Sequence, residues 1–194
     1  MHAIKTELRH DMRQRRLALA PASAWHAAEH AAAAALPELE NARIVALYAP
    51  VRGEIGTAPL AALLRSMNKI ICYPRMGADR MLAFHTVHDE AVLAQNGLGI
   101  HEPPIHTEAV LPDAIVVPGL AFDASGGRLG WGHAYYDTTL AHAHSALRVG
   151  YAYEFQIVTC VPQSDADERM DILVTERGAR HTHARSNATL GRSP

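Results

Sequence analysis

Lysine is almost missing from this chain: Lys5 and Lys69 are the only two, and every other basic side chain is arginine. Genome composition can favour arginine and alanine over lysine without a functional cause, so the scarcity by itself excludes little. A surplus of charge is missing too. Across 194 residues, 18 basic side chains stand against 20 acidic ones, a formal net charge of -2, and that balance excludes the basic footprint of a nucleic-acid binder. Cysteine occurs twice, in Ile-Ile-Cys72-Tyr-Pro and Val-Thr-Cys160-Val-Pro. Two distant thiols in apolar runs read as small buried hydrophobes rather than a disulfide or a zinc site. No apolar run approaches the roughly 20 residues of a membrane helix, and the alanine-rich stretch from Ala27 to Ala35 is interrupted by Glu29 and His30. The charged N-terminus lacks the apolar core of a signal peptide. The expectation is a soluble, cytoplasmic, monomeric protein with no membrane or nucleic-acid partner, and its 48% hydrophobic residues suffice for the core of one domain.

What is present is an alternation of patterns. Residues 3–19 place Ile4, Leu8, Met12 and Leu17 at helical spacing among charges, and Pro21-Ala22-Ser23 reads as a cap before a second helix running to about Leu36. Short β-branched runs follow at 43–48 and 69–73, separated by a helical stretch at 57–67. Further strands are expected at 82–87, 113–117, 148–153 and 171–175, with a helix at 135–147. This order predicts an α/β fold: a three-layer, Rossmann-like sandwich whose mostly parallel sheet is flanked by helices. One domain is expected over 1–177. The polar, breaker-rich stretch 178–194 is expected to be a disordered tail whose His181 and His183 are solvated rather than metal ligands.

The segment from Val117 to Asp137 is the most unusual. A strand enters a glycine-rich loop containing Arg128, and the loop enters a helix near Tyr135 and Tyr136. Loops beyond the carboxyl ends of strands are where open α/β sheets bind ligands, and small residues let backbone N–H groups approach phosphates. The loop is neither a Walker A sequence nor a GxGxxG dinucleotide fingerprint, so a structural turn and an anion site both remain open; the planar guanidinium of Arg128 favours the anion. Lys5 and Arg9 lie one helical turn apart and can reach the same phosphate, or simply form a solvated face. Glu54 follows the first strand, either as a ligand-facing carboxylate or as a helix-start acid. Asp137 and Asp171 are the candidates for magnesium, an ion that takes hard oxygen ligands beside phosphates.

Taken together these segments resemble the 5-formyltetrahydrofolate cyclo-ligases, also called 5,10-methenyltetrahydrofolate synthetases. The likeness rests on Lys5-x-x-x-Arg9, Glu54-Ile-x-Thr57, Gly99-Ile-x-Glu-Pro103 and Val117-Pro-Gly-Leu-Ala-Phe-Asp123. It continues through the Gly-x-Arg-Leu-Gly-x-Gly of 126–132, Tyr135-Tyr-Asp137 and Asp171-x-x-Val-Thr-Glu176. The resemblance implies an ATP- and Mg²⁺-dependent enzyme that converts 5-formyltetrahydrofolate to 5,10-methenyltetrahydrofolate through a phosphorylated formyl group, releasing ADP and phosphate. Carried over by motif, Lys5, Arg9, Arg128, Leu129, Gly130, Trp131, Gly132, His133, Ala134, Tyr135 and Tyr136 would bind ATP. Ala49, Glu54, Trp131, Gly132 and Tyr135 would bind folate. Arg128 and Tyr136 would be catalytic, and Asp137 and Asp171 would hold Mg²⁺.

The likeness breaks at one place. The family loop usually reads Gly-x-Gly-(Gly or Lys)-Gly-Tyr-Tyr-Asp-Arg, and here His133, Ala134 and Thr138 stand at the fourth, fifth and last of those positions. A methyl where a glycine takes a positive φ costs about 1 kcal/mol, and a cation at Thr138 and a possible lysine at His133 are lost. A folate-binding or regulatory homologue with weakened phosphoryl transfer is therefore the alternative, and a sugar-phosphate or CoA-processing enzyme of related architecture the more distant one.

Overall fold

Residues 2–182 are described by the computed structural model. Two helices, α1 (His2–Leu17) and α2 (Pro21–Ala35), precede a strand–helix–strand unit of β1 (Ile44–Ala46), α3 (Ala58–Ser66) and β2 (Ile70–Met76). Then come β3 (Leu82–Thr86), β4 (Ala94–Gln95), β5 (His101–Glu102), β6 (Ala109–Val110), β7 (Ala114–Val117), β8 (Ala121–Asp123) and β9 (Arg128–Leu129). The chain continues through α4 (Tyr135–Leu140), β10 (Leu147–Tyr151), β11 (Ile157–Val158), β12 (Ile172–Thr175) and β13 (Gly178–His181). The central sheet has eight strands in the order β13-β12-β10-β7-β1-β2-β3-β6. Its five middle strands are parallel, and antiparallel strands close both sides. The expected mostly parallel α/β sandwich is thus the observed one.

Strand alternation divides the core. Val45, Ala114, Val116, Val149, Ile172 and Val174 face one way, where α2 presents Ala28, Ala31, Ala32 and Ala35 and α3 presents Leu60, Ala61 and Leu64. The alanine stripe recurs at i, i+3, i+4 and i+7, so α2 packs against the sheet with its least bulky face. Ala46, Cys72, Ile115, Val117 and Leu173 face the other way, against Phe122, Leu140 and Met170. Burial pushes the Cys72 thiol up to about 12, so it stays a neutral hydrophobe as expected. Cys160, by contrast, is an exposed free thiol.

A second, three-stranded sheet, β11-β8-β9, was not legible in the sequence. Its turn depends on Gly126, at φ +83, where a Cβ would collide with the Met170 carbonyl oxygen. Buried Asp123 braces it by accepting from the Ser125, Gly127 and Val161 N–H groups. Helix α1 packs on this sheet through Leu8 and Met12, against Leu120, Ala121, Leu129 and Val161.

Three expectations change. Ile4 and Leu17 do not belong to the buried stripe of α1: they are 58% and 65% exposed, whereas Arg16 is 2% exposed. The inward row is Lys5, Arg9, Met12 and Arg16, held by side-chain bonds to loop carbonyls as much as by apolar contact. The helix expected at 135–147 stops at Leu140: the His142 N–H tightens to the Thr139 carbonyl, the Ala143 N–H is shared between the Thr139 and Leu140 carbonyls, and the Arg148 guanidinium donates to the Leu140 carbonyl. Residues 178–182 are not a disordered tail. Gly178–His181 pairs antiparallel with β12, His181 Nε2 lies 3.2 Å from Glu38, and Thr182 is buried with its hydroxyl on the Met170 carbonyl. The remainder of that expected tail, 183–194 with His183, lies outside the described residues.

Candidate active site

Beyond the carboxyl ends of β1 and β7 the chain opens a cleft of about 670 Å³. The β1 exit (48–54), the β7 exit at Pro118, the loop from β9 into α4, the inner row of α1 and the β4–β5 hairpin form its walls. This is the location the parallel sheet favours for a ligand. Of the residues singled out in the sequence, Lys5, Arg9, Ala49, Glu54 and the whole run from Arg128 to Asp137 line it.

Two chemically distinct ends share this cleft. At one end Glu54, 8% exposed, accepts from Trp131 Nε1 at 3.1 Å and from the Val51 N–H at 3.1 Å. Burial pushes its carboxyl above the usual carboxylate range, opposed by the Arg16 guanidinium, the Trp131 hydrogen bond, the Val51 N–H and Arg52. Arg13, Arg16 and Arg52 lie 5.6, 5.4 and 4.8 Å from the Trp131 ring centroid, which fixes the indole as a wall. At the other end are cations. Lys5 Nζ sits 2.9 Å from Asp167, and Arg9 Nε donates to the Gly130 carbonyl at 3.0 Å. Arg128, 6% exposed, donates to Asp137 Oδ1 at 2.8 Å and to the Pro118 carbonyl at 3.3 Å, its guanidinium 5.6 Å from the Tyr136 ring centroid. Burial raises the Tyr136 phenol well above its ordinary value, so it stays protonated and acts as a donor or a wall.

Loop 130–134 joins the two ends: Trp131 belongs to the carboxylate end, while Gly130 touches Arg9. Ala134 caps α4 with φ 60 and ψ 3, in the left-handed region. A methyl is strained there, so Ala134→Gly is expected to raise the unfolding free energy by about 1 kcal/mol, read as a higher midpoint in urea. Loss of stability in that variant overturns the strain argument.

Asp171 is a correction. It stands at the amino end of β12, away from the cleft, where its Oδ2 accepts from the Arg148 N–H at 2.9 Å. Asp113 does the same for Arg43 and Ile44 beside β1. Both are acids that satisfy strand-entry N–H groups, so Asp171, expected as a hard oxygen ligand beside phosphates, instead serves the entry of a neighbouring strand. Among the described residues no group of three or more His, Cys, Asp or Glu side chains is placed to hold a metal. Asp137 and Asp167 do line the cleft beside Lys5, Arg9 and Arg128, and magnesium commonly needs only one or two carboxylates when phosphates supply its other oxygens. The residues fit an ion that arrives with a polyphosphate, with Asp137 rather than Asp171 as its carboxylate.

Three contributors escaped sequence reasoning. Arg16 is one of several arginines at the end of α1, and nothing in its spacing marks it as buried. Asp167 lies in a loop, 162 residues from its partner Lys5. Arg52 reaches Trp131 only because the 51–54 turn brings it there, with Arg52 itself at φ 51. The hairpin carrying Leu98, Gly99, Ile100 and Glu102 does contain a motif quoted above, and buried Glu102 anchors it by accepting from the Met76 N–H at 3.0 Å.

Comparison with known proteins finds relatives along most of the chain. A model described as the 5-formyltetrahydrofolate cyclo-ligase family matches residues 1–176. The 5-formyltetrahydrofolate cyclo-ligase of Escherichia coli (strain K12) is 34% identical over 175 residues, covering 84% of this chain and 96% of that one. The Haemophilus influenzae cyclo-ligase is 36% identical over 148 residues, covering 72% and 79%. Among solved structures, the NMR structure of Aquifex aeolicus 5,10-methenyltetrahydrofolate synthetase superimposes with a TM-score of 0.81 at 34% identity, covering 98% of this chain and 96% of that chain.

Proposed function

The chain belongs to the 5-formyltetrahydrofolate cyclo-ligase family, and from that premise we propose that it closes 5-formyltetrahydrofolate to 5,10-methenyltetrahydrofolate at the expense of ATP in the cleft between Glu54 and Arg128. The observation that carries this reading is the pairing, in one cleft, of a buried carboxylate–indole end with a cationic end. A carboxylate suits the N–H edge of a folate ring system, and three cations suit a triphosphate.

The chemistry explains why both ends must meet. An amide oxygen is a poor leaving group, so the formyl oxygen attacks the γ-phosphorus, the bond to ADP breaks, and an iminium phosphate forms on N5. N10 then attacks the formyl carbon, the carbon–oxygen bond breaks, phosphate leaves, and N10 gives up its proton as the ring closes. Lys5 and Arg9 neutralise the phosphates from α1, with Lys5 exchanging its Asp167 partner for them. Arg128, already fixed by Pro118 and Asp137, stabilises charge on the transferring phosphoryl without reorganising. Glu54 and Trp131 hold the folate so that its formyl oxygen lies in line. Asp137 would hold magnesium, which would supply positive charge to offset that of the phosphates.

The test is direct. Purified protein with 5-formyltetrahydrofolate, ATP and Mg²⁺ is expected to generate the near-ultraviolet absorbance of the methenyl product, with none if ATP is omitted. No absorbance gain, under conditions where a relative turns over, overturns the proposal. Tight folate binding by calorimetry without turnover would instead favour the non-catalytic homologue, a reading that the strained Ala134 supports.

A further inference from the structure

Arg16 is the most deeply buried cation of the chain's described residues and contacts no part of the cationic end. Its Nη1 donates to the Gly119 carbonyl at 3.1 Å, and its Nη2 reaches the carbonyls of Arg52 and Val51 at 3.3 and 3.5 Å. The same Nη2 lies 3.6 Å from Glu54 Oε1, with side-chain exposures of 0% and 4% for the two partners. Its guanidinium also stacks beside Trp131, the residue that hydrogen-bonds Glu54. Three backbone carbonyls therefore hold one charge against one carboxylate, and the Arg16 Nε is buried without a protein partner among the described residues.

We propose that Arg16 is a positioning residue: its guanidinium fixes the orientation and the negative charge of Glu54, and through Glu54 it sets folate binding from the same helix that carries Lys5 and Arg9. The proposal rests on the reading of Glu54 as the folate carboxylate. A salt bridge that served packing alone would not need to face a ligand, and breaking one leaves an uncompensated buried charge. Here the surviving carboxyl would respond by taking up a proton. The charged and titratable groups facing Glu54 are Arg16 from α1, Arg52 from its own loop, Tyr48 after β1 and Tyr136 from α4. Both tyrosines are raised far from neutrality by burial, so neither supplies charge near neutral pH. Arg52 is solvent-exposed and holds Glu54 less firmly. Arg16 itself also feels Arg13 and Tyr153.

The sign follows from burial. With Arg16 gone, desolvation of Glu54 is opposed by less positive charge, its carboxyl moves further up, and folate affinity falls as pH drops through the new value. The experiment follows 5-formyltetrahydrofolate binding and Trp131 fluorescence, in a Trp25→Phe background, between about pH 6 and 9. Wild type and Arg16→Lys are expected to be flat in both signals. Arg16→Gln is expected to lose affinity by about tenfold per pH unit below the raised value, with Trp131 emission inflecting over the same window. Adding Glu54→Gln is expected to abolish both dependences.

A pH-independent loss in Arg16→Gln, or a flat Trp131 signal, overturns the proposal, as does an inflecting Arg16→Lys, which keeps the charge. Should Arg16→Gln fail to fold, Arg16→Lys decides: a flat profile supports the proposal and an inflecting one overturns it. Fluorescence needs no ligand. An Arg16→Gln protein whose Trp131 signal inflects beside a wild type that binds no folate therefore supports the coupling and refutes the folate reading.

Discussion

Arg128→Ala is expected to lower turnover by about 10³-fold while folate affinity stays near wild type, because an arginine poised on a transferring phosphoryl is commonly worth that much. The guanidinium is 6% exposed and already held by the Pro118 carbonyl and Asp137. In the proposed reaction it would meet the phosphoryl in a fixed orientation, from a side chain largely closed to water. Substitution also leaves Asp137 without its 2.8 Å partner. Stability is expected to fall by about 3 kcal/mol, the lower end for a broken buried pair, since the Asp137 side chain keeps 20% exposure. Arg128→Ala combined with Asp137→Asn isolates the stability effect: the urea midpoint recovers, while turnover is read from the single variant, because Asp137 is itself the carboxylate proposed for magnesium. Steady-state kinetics on the methenyl absorbance is the readout, and a single variant that keeps more than about a tenth of wild-type turnover refutes the role.

Glu54→Gln is expected to raise the KM for 5-formyltetrahydrofolate by about 100-fold, with the KM for ATP changed by less than about threefold. Glu54 accepts on both oxygens, one from the Val51 N–H and one from Trp131 Nε1. A glutamine has one acceptor oxygen, so its amide N–H₂ must face one of these donors, and a buried N–H is left unpaired. The substitution also removes the anion that Arg16 faces and weakens the wall that Trp131 provides. The cationic end lies across loop 130–134 and shares none of these bonds. Equal changes in both KM values would mean that the whole loop has moved, and Glu54 would then be a loop anchor rather than a folate contact.

The central sheet was legible because its strands are short, continuous and β-branched, flanked by helix patterns of ordinary length. The three-stranded sheet was not: Arg128 and Leu129 form a two-residue strand below the reach of periodicity, inside a run whose glycines read only as a loop. The cleft was legible residue by residue through the motifs, which carry chemistry at fixed offsets. Its supports were not. Arg16 looks like any exposed arginine on α1, because the helix hides polar groups inward and leaves Ile4 and Leu17 in water, the reverse of the pattern that hydrophobic spacing assumes. Asp171 shows the opposite failure. An acid before an apolar strand can cap that strand's neighbour as readily as it can hold a metal, and local sequence does not separate the two.

The four-residue strand β13 has a consequence for where this chain can be shortened. It pairs all four residues of β12, from Ile172 to Thr175, and Thr182 ties its end to the Met170 carbonyl. A chain cut after residue 177 would keep every cleft residue named above. It would also bare the main-chain edge of Ile172-Leu173-Val174, a flat apolar ribbon that a second molecule can extend. The boundary that leaves the cleft residues intact is therefore not the one that keeps the β12 edge covered, and β13, the last strand among the described residues, shields an edge remote from the cleft.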